Sequence, residues 1–289
     1  MLAAPHICIV PGVTDAFQAL LAERAGFQAV FLTGAGLANT LLGVPDIGLT
    51  TMTEVVEASR RVVDAVTLPV IADADTGYGN HLNVMRTVAA LEHAGVAGVL
   101  IEDQVSPKRC GHFAGKSVLP AREMVEKLLA ACRTRKDADL VLIARTDAIA
   151  VEGLDGALAR ARTYVQAGAD VIFVEAPRDE DELEAIPAAI SAPCLVNMVE
   201  GGLTPLLGAD QLERMGYRIV IHANLALRVA AAAVADAFAV LRAEGSSVSL
   251  LQSILPWEER QALVGLSRWR ERERQIVAAA SEIIDPLGA

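Results

Sequence analysis

The chain has 289 residues, 53% hydrophobic and 21% charged, with a formal net charge of −11. That charge excludes nucleic acids and anionic membrane surfaces as partners, since either needs a basic face, and leaves a small anionic substrate open where cations or a metal are concentrated locally. A membrane span is excluded as well: the alanine-rich run 225–241 is interrupted by Arg228 and Asp236 and is too short for a bilayer.

Short apolar runs alternate with amphipathic ones from end to end. The pattern predicts strands at 7–10, 29–32, 70–72, 99–102, 140–144, 171–175, 194–197 and 219–221. Helical periodicity predicts helices between them at 14–25, 52–65, 81–93, 121–132, 155–167, 180–188 and 210–215. The strands are largely apolar up to their C-terminal ends, as parallel strands buried on both faces are. Eight such units predict an α/β fold, a closed (β/α)8 barrel of the TIM type. A doubly wound sheet would usually be shorter and carry a glycine fingerprint after its first strand. Beyond the eighth strand lie a long helix at 225–244, a Gly-Ser-Ser break, and helical stretches around Leu250 and at 257–284 that carry Trp257 and Trp269. Closure does not need them. The expected division is a catalytic barrel at 1–245 and a C-terminal helical extension at 246–289 that packs on a neighbouring subunit.

Residues 1–10 have neither a basic start nor a long apolar run, so no signal peptide is expected. The four cysteines, Cys8, Cys110, Cys132 and Cys194, form no CxxC pair and read as reduced thiols of a cytoplasmic protein. His6, His81 and His93 read as packing or surface residues, and His222 as either a pocket residue or a barrel-end hydrogen-bonding group.

In such barrels the working residues lie at the C-terminal ends of strands. Those ends here carry Thr33-Gly34-Ala35-Gly36, Asp73-Ala74-Asp75, Glu102-Asp103, Arg145-Thr146-Asp147, Glu175 and Asn197. Acids that close repel one another unless they are hydrogen-bonded or share a cation. Oxygen ligands in this number suit Mg²⁺, with Mn²⁺ as a substitute. Arg145 offers a planar fork for a carboxylate, or alternatively pairs with Asp147 or Glu175. Just past Glu102, Lys108-Arg109-Cys110-Gly111-His112 sets two cations, a thiol and an imidazole on one loop. Positive charge nearby lowers a thiol's pKa, so Cys110 reads as reactive and the other three cysteines as buried hydrophobes.

Four segments together resemble the isocitrate lyase/phosphoenolpyruvate mutase superfamily: Asp73-Ala74-Asp75-Thr76-Gly77-Tyr78-Gly79, Ile101-Glu102-Asp103-Gln104, Lys108-Arg109-Cys110-Gly111-His112 and Ala144-Arg145-Thr146-Asp147-Ala148. The 2-methylisocitrate and 2,3-dimethylmalate lyases are the most similar branch. The resemblance implies a magnesium site at Asp75, with Asp73 and Glu102 holding the metal's waters. It implies a pocket for the 2-oxo-acid half at Thr33, Gly34 and Ala35, completed by Asp46. Arg145 would hold a carboxylate, and Glu175 and Asn197 the other substrate oxygens. The loop with Lys108, Cys110, Gly111 and His112 would close over the site, its cations would offset developing charge, and Cys110 would act as general acid. The implied reaction is cleavage of a substituted 2-hydroxy di- or tricarboxylate to pyruvate and a second carboxylate, by a cytoplasmic homotetramer with a helix exchanged between neighbours. Three departures stand out. Phe31 replaces a usual tyrosine, Ala35 a usual glycine, and the eighth strand ends His222-Ala223-Asn224-Leu225 rather than in a Tyr-Pro pair. They keep two alternatives open: an oxaloacetate decarboxylase or hydrolase, and a phosphoenolpyruvate mutase or phosphonopyruvate hydrolase.

Overall fold

Eight runs of buried β-branched and aliphatic residues form eight strands: β1 (Cys8–Val13), β2 (Val30–Leu32), β3 (Val70–Asp73), β4 (Gly98–Glu102), β5 (Val141–Thr146), β6 (Val171–Val174), β7 (Cys194–Asn197) and β8 (Tyr217–His222). All pair in parallel with their sequence neighbours, and β1 pairs with β8 to close the barrel. The computed structural model describes residues 2, 6–111 and 115–284.

The expected barrel is therefore present, and the strand alternation divides its apolar residues into two clusters. Outward-facing residues such as Val30, Ala72, Ile101, Leu142, Ile172 and Val196 pack against the surrounding helices. Inward-facing residues fill the barrel, with Cys8, Val10, Phe31, Ile71, Leu100, Ile143, Phe173, Leu195 and Ile221 among them. The period of two then decides what comes next on the inner face. Two residues beyond this apolar layer stand Thr33, Asp73, Glu102, Arg145, Glu175, Asn197 and Ala223. Gly12 completes the ring, because a Cβ there would lie 2.0 Å from the Ala223 carbonyl oxygen. The polar floor of the site is thus one step of strand periodicity above the hydrophobic plug.

Helix starts are well specified. Thr51 and Glu54 form a capping box before Met52–Ala65, and Asn80 with Asn83 does the same before His81–His93. Two elements differ from the sequence expectation. The residues after β2 form a short helix, Gly34–Leu37, capped by the Thr33 hydroxyl and continued by a π-helical turn, Ala38–Leu42, that stops at left-handed Gly43. The helix expected at 155–167 spans Ile149–Gln166 and bends at Gly153, whose φ of 74° only glycine adopts readily.

By its internal contacts the chain divides into two compact units, residues 1–231 and 232–289, with the boundary inside the helix Leu225–Glu244. The second unit contains the rest of that helix, then Trp257–Leu263 and Leu266–Ile284. No helix among the described residues is long and apolar enough to cross a membrane.

Candidate active site

The strand ends meet around a small cavity of about 30 Å³, room for about two waters. Its wall includes Thr33, Ala35, Asp46, Asp73, Lys108, Cys110, Gly111, Arg145, Glu175 and Asn197. Gly34, Asp75 and Glu102 contact wall residues, Gly34 through Asp73, Asp75 through Lys108 and Glu102 through Arg145. His112 lies outside the described residues. Apolar lining comes from Phe31, Phe173, Val199, Ile221 and Ala223, with Asn224 at the β8 end. His222 does not line it and instead faces Glu200, 3.7 Å away.

The acidic side is built from β2 and β3. Asp73 accepts the backbone N–H of Gly34 at 3.3 Å and that of Asp75 at 3.1 Å, so its two oxygens tie the turn after β2 to the turn after β3. Asp75 holds a left-handed backbone, φ 46°, which costs about 1–3 kcal/mol and survives only where surrounding structure enforces it. Its carbonyl accepts the N–H of Glu102 at 2.9 Å, part of that enforcement. Burial, first of all, pushes the Asp75 carboxyl up to about 6, with Asp73 and Asp46 adding to the rise and Lys108 opposing it. Burial likewise drives Glu102 well above the usual carboxylate range, against Arg145.

Lys108 is the cation of this wall. Its ammonium is 2.9 Å from Asp75 Oδ1 and is hydrogen-bonded to Asp46. The sequence placed Lys108 on the loop to offset charge developing on substrate. In the structure its ammonium faces two carboxylates, Asp75 and Asp46. Burial would lower its pKa, but Asp75, Glu102, Asp73 and Asp46 outweigh burial and raise it well above the usual value.

Opposite stands Arg145, and the structure realises both of its expected pairings at once. Its Nε and Nη2 grip Asp147 at 2.9 and 3.2 Å, its Nη1 reaches Glu175 at 3.3 Å, and its Nε is also 3.2 Å from Glu102. The Phe173 ring lies under the guanidinium, 5.3 Å from its centroid, a cation–π contact. Asp147 is buried completely and donates its backbone N–H to Asp103 at 2.9 Å. Asp103 faces outward from β4 and takes further hydrogen bonds from the Thr146 and Tyr164 hydroxyls, both at 2.7 Å.

The segment carrying Cys110 is pinned at both ends. Gln104 exchanges two hydrogen bonds with the Arg109 backbone, at 2.8 and 3.0 Å. Residues 103–105 pair with 117–119 through Val105 N–H to Ser117 and Leu119 N–H to Asp103. A Cβ on Gly111 would come within 2.5 Å of Arg145 Nη2 and 2.7 Å of Glu175 Cδ, so a side chain there would displace one of those two groups. Lys116, missed in the sequence, is buried here and donates to Asp147 Oδ1 at 2.8 Å and to the Gly111 carbonyl. Asp147 was read from the sequence as a partner of Arg145, two residues before it; Lys116 follows no local period.

The acidic wall suits a divalent cation. Glu102 Oε1 is buried with no hydrogen-bond partner among the described residues, and Asp75 Oδ1 faces Lys108 without a well-angled hydrogen bond. Among the described residues no three acidic, histidine or cysteine side chains form a complete cage. Magnesium, which retains several waters and takes one or two carboxylates plus substrate oxygens, needs none.

A metal-ready acid pair, an arginine and a cysteine share one barrel mouth. The family described as phosphoenolpyruvate phosphomutase matches residues 1–242. The chain belongs to the phosphoenolpyruvate mutase/isocitrate lyase superfamily. It is similar to the 2,3-dimethylmalate lyase of Eubacterium barkeri, 44% identical over 273 residues that make up 94% of either chain. Among solved structures it is similar to an oxaloacetate acetylhydrolase bound to 3,3-difluorooxalacetate, with 34% identity and a TM-score of 0.90 over 94% of this chain and 93% of that one. It is also similar to a phosphonopyruvate hydrolase in complex with oxalate and Mg²⁺, with 31% identity and a TM-score of 0.86 over 96% of both. The protein is thus an enzyme of the superfamily, and its relatives include named lyases.

Proposed function

We propose that this superfamily member is a magnesium-dependent carbon–carbon lyase. It would cleave a substituted 2-hydroxy di- or tricarboxylate, of the dimethylmalate or 2-methylisocitrate type, to pyruvate and a second carboxylate. The observation that carries this reading is Cys110 on the wall of one cavity that Arg145, Glu175 and Asp73 also line. Asp75 would hold Mg²⁺, with Asp73 and Glu102 on its waters. The ion would supply Lewis acidity to the substrate's 2-hydroxyl and carboxylate, making the hydroxyl proton easier to lose.

The chain's own residues do the rest. Thr33, Gly34 and Ala35 shape the floor for the 2-oxo-acid half, and Asp46 closes it from the side. Arg145 presents a fixed cation to a carboxylate, its orientation set by Asp147. Glu175 and Asn197 face the remaining oxygens; Asn197 Oδ1 is buried and finds no partner among the described residues. The hydroxyl proton leaves to the acidic wall, and the C2–C3 bond breaks with its electron pair on the departing carbon. The Cys110 thiol gives that carbon a proton. Phe31, buried at the cavity floor, provides no hydroxyl to the nascent carbonyl.

The β8 end favours a second reading. Ala223 and Asn224 line the cavity in place of the Tyr-Pro pair usual in the lyases this sequence resembles, and an oxaloacetate acetylhydrolase is among the similar structures. One assay separates the two: release of 2-oxo acid from alkylmalates, 2-methylisocitrate and phosphonopyruvate, and of pyruvate or oxalate from oxaloacetate, with Mg²⁺ or with EDTA. The lyase is expected to turn over a hydroxy acid, and EDTA to abolish that turnover. Turnover of oxaloacetate or phosphonopyruvate alone would overturn the reading.

We also propose a homotetramer in which residues 246–289 pack on a neighbour. Val234, Phe238 and Leu241 make an exposed apolar stripe on the helix Leu225–Glu244, and Trp269, Ile276 and Ile283 make another on Leu266–Ile284. Faces this apolar are usually covered. Sedimentation equilibrium is expected to give a tetramer for the whole chain and a smaller species for residues 1–245. A monomeric whole chain would sink the proposal.

A further inference from the structure

Lys116 plays no part in the reaction outlined above, yet it is one of the most enclosed charges in the protein. Its side chain is 1% exposed and that of its partner Asp147 is 0% exposed. Burying an ammonium is costly unless it is paired and its donors are used, and here they are used on two specific acceptors. One is Asp147 Oδ1, at 2.8 Å; the other is the Gly111 carbonyl.

Each acceptor belongs to a part of the site that has to be held still. Asp147 Oδ1 also takes the Arg145 Nη2 hydrogen bond, at 3.2 Å, while Oδ2 takes Nε at 2.9 Å. The carboxylate that orients the substrate-facing arginine is therefore shared between Arg145 and Lys116. Gly111 is the residue next to Cys110, and a Cβ added there would come within 2.7 Å of both Arg145 and Glu175 side-chain atoms, so its backbone lies close against that pair. Behind Asp147, Asp103 is fixed by Thr146, Tyr164 and Arg160, so the anchor is tied to the helix Ile149–Gln166.

We propose that Lys116 is a positioning residue, a crossbar that fixes the Cys110–Gly111 backbone and the Asp147–Arg145 fork relative to each other. The ammonium suits that task because it donates to two acceptors at once while remaining out of reach of substrate. Without it, the Gly111 carbonyl loses its buried donor and Asp147 answers to Arg145 alone. The thiol and the guanidinium, which in the proposed reaction work on opposite ends of one substrate, then lose their common reference.

The test uses Lys116→Met, which retains the aliphatic stem and removes the ammonium, in the full-length Mg²⁺-loaded enzyme. The first readout is the rate at which iodoacetamide modifies Cys110, followed by peptide mass spectrometry and compared with Cys132 in the same sample. That rate is expected to rise about tenfold at Cys110 and to stay level at Cys132, the size expected for one lost charge-assisted hydrogen bond. The second readout rests on the proposed lyase activity: kcat is expected to fall about 10²-fold, the scale of a small misplacement of reacting groups, with KM changed far less. Lys116→Gln can still donate to the Gly111 carbonyl and should recover most of the Cys110 protection. Lys116→Leu, which likewise removes the ammonium, provides the test should the methionine variant not fold. A folded methionine or leucine variant whose Cys110 is modified at the wild-type rate overturns the proposal. The modification is read without substrate, so its outcome stands even if the assigned reaction is wrong.

Discussion

Replacing Cys110 by alanine is expected to lower turnover of the cleaved hydroxy acid by about 10²- to 10⁴-fold, the usual worth of a placed general acid. The substitution removes one half-buried sulfur from a backbone that Gln104 holds on both sides of the Arg109 peptide. Stability should therefore change by less than about 1 kcal/mol, so lost turnover reports on chemistry and not on unfolding. Cys110→Ser is the stricter control. It restores size and a hydroxyl but not acidity, because a thiol ionises near 8.5 and an aliphatic alcohol far above that. If the thiol supplies the proton, serine fails almost as badly as alanine. The measurement is 2-oxo-acid release under saturating Mg²⁺, with thermal unfolding run beside it. Alanine activity within about threefold of wild type would remove the cysteine from the mechanism. It would turn attention to hydrolysis or decarboxylation of a 2-oxo acid, in which the enolate left behind takes its proton from a donor other than Cys110.

The barrel was legible because burial on both faces leaves its mark on every strand, and eight such marks with helices between them admit few other folds. The site was legible for a related reason. Polar residues two steps beyond an apolar strand layer have nowhere to point except the barrel mouth, so Asp73, Glu102, Arg145 and Glu175 announced themselves. What the sequence concealed was who pairs with whom. Lys108 lies between Asp46 and Asp75, residues 62 and 33 positions away, and Lys116 reaches Asp147, 31 positions away. Such partnerships depend on how loops fold back across the mouth, and no local period encodes that. The helix Gly34–Leu37 was hidden too, because glycine and alanine after a strand read as a loop until the Thr33 hydroxyl is seen to cap them. Asp103 was read as one more acid on the rim. One residue past Glu102, it belongs to the outer face, and its work is to hold Asp147 from behind.

Arg145→Met is expected to be the most damaging single change, because it fails on two counts at once. The guanidinium is paired with Asp147, Glu102 and Glu175, side chains that are 0%, 1% and 2% exposed. Removing one partner of a buried pair costs about 3–5 kcal/mol, since the charge left behind has no water to answer it. Arg145→Lys retains the charge but not the fork, so it should recover part of the stability and little of the carboxylate binding. The pH dependence has a definite sign. Burial works to raise the Asp147 pKa, but Arg145 and then Lys116 outweigh it and bring the carboxyl down to about 2. An unfolded aspartate titrates near 3.9, so Asp147 stabilises the fold above that pH, and the contribution is lost as pH falls towards 2. In Arg145→Met only Lys116 opposes burial, the folded-state pKa climbs, and the acid-unfolding midpoint should move to higher pH. Circular dichroism between pH 2 and 7, together with urea unfolding at neutral pH, measures both effects. A methionine variant with wild-type stability and an unmoved acid midpoint would mean that the three carboxylates are served by water, and that Arg145 is held by substrate alone.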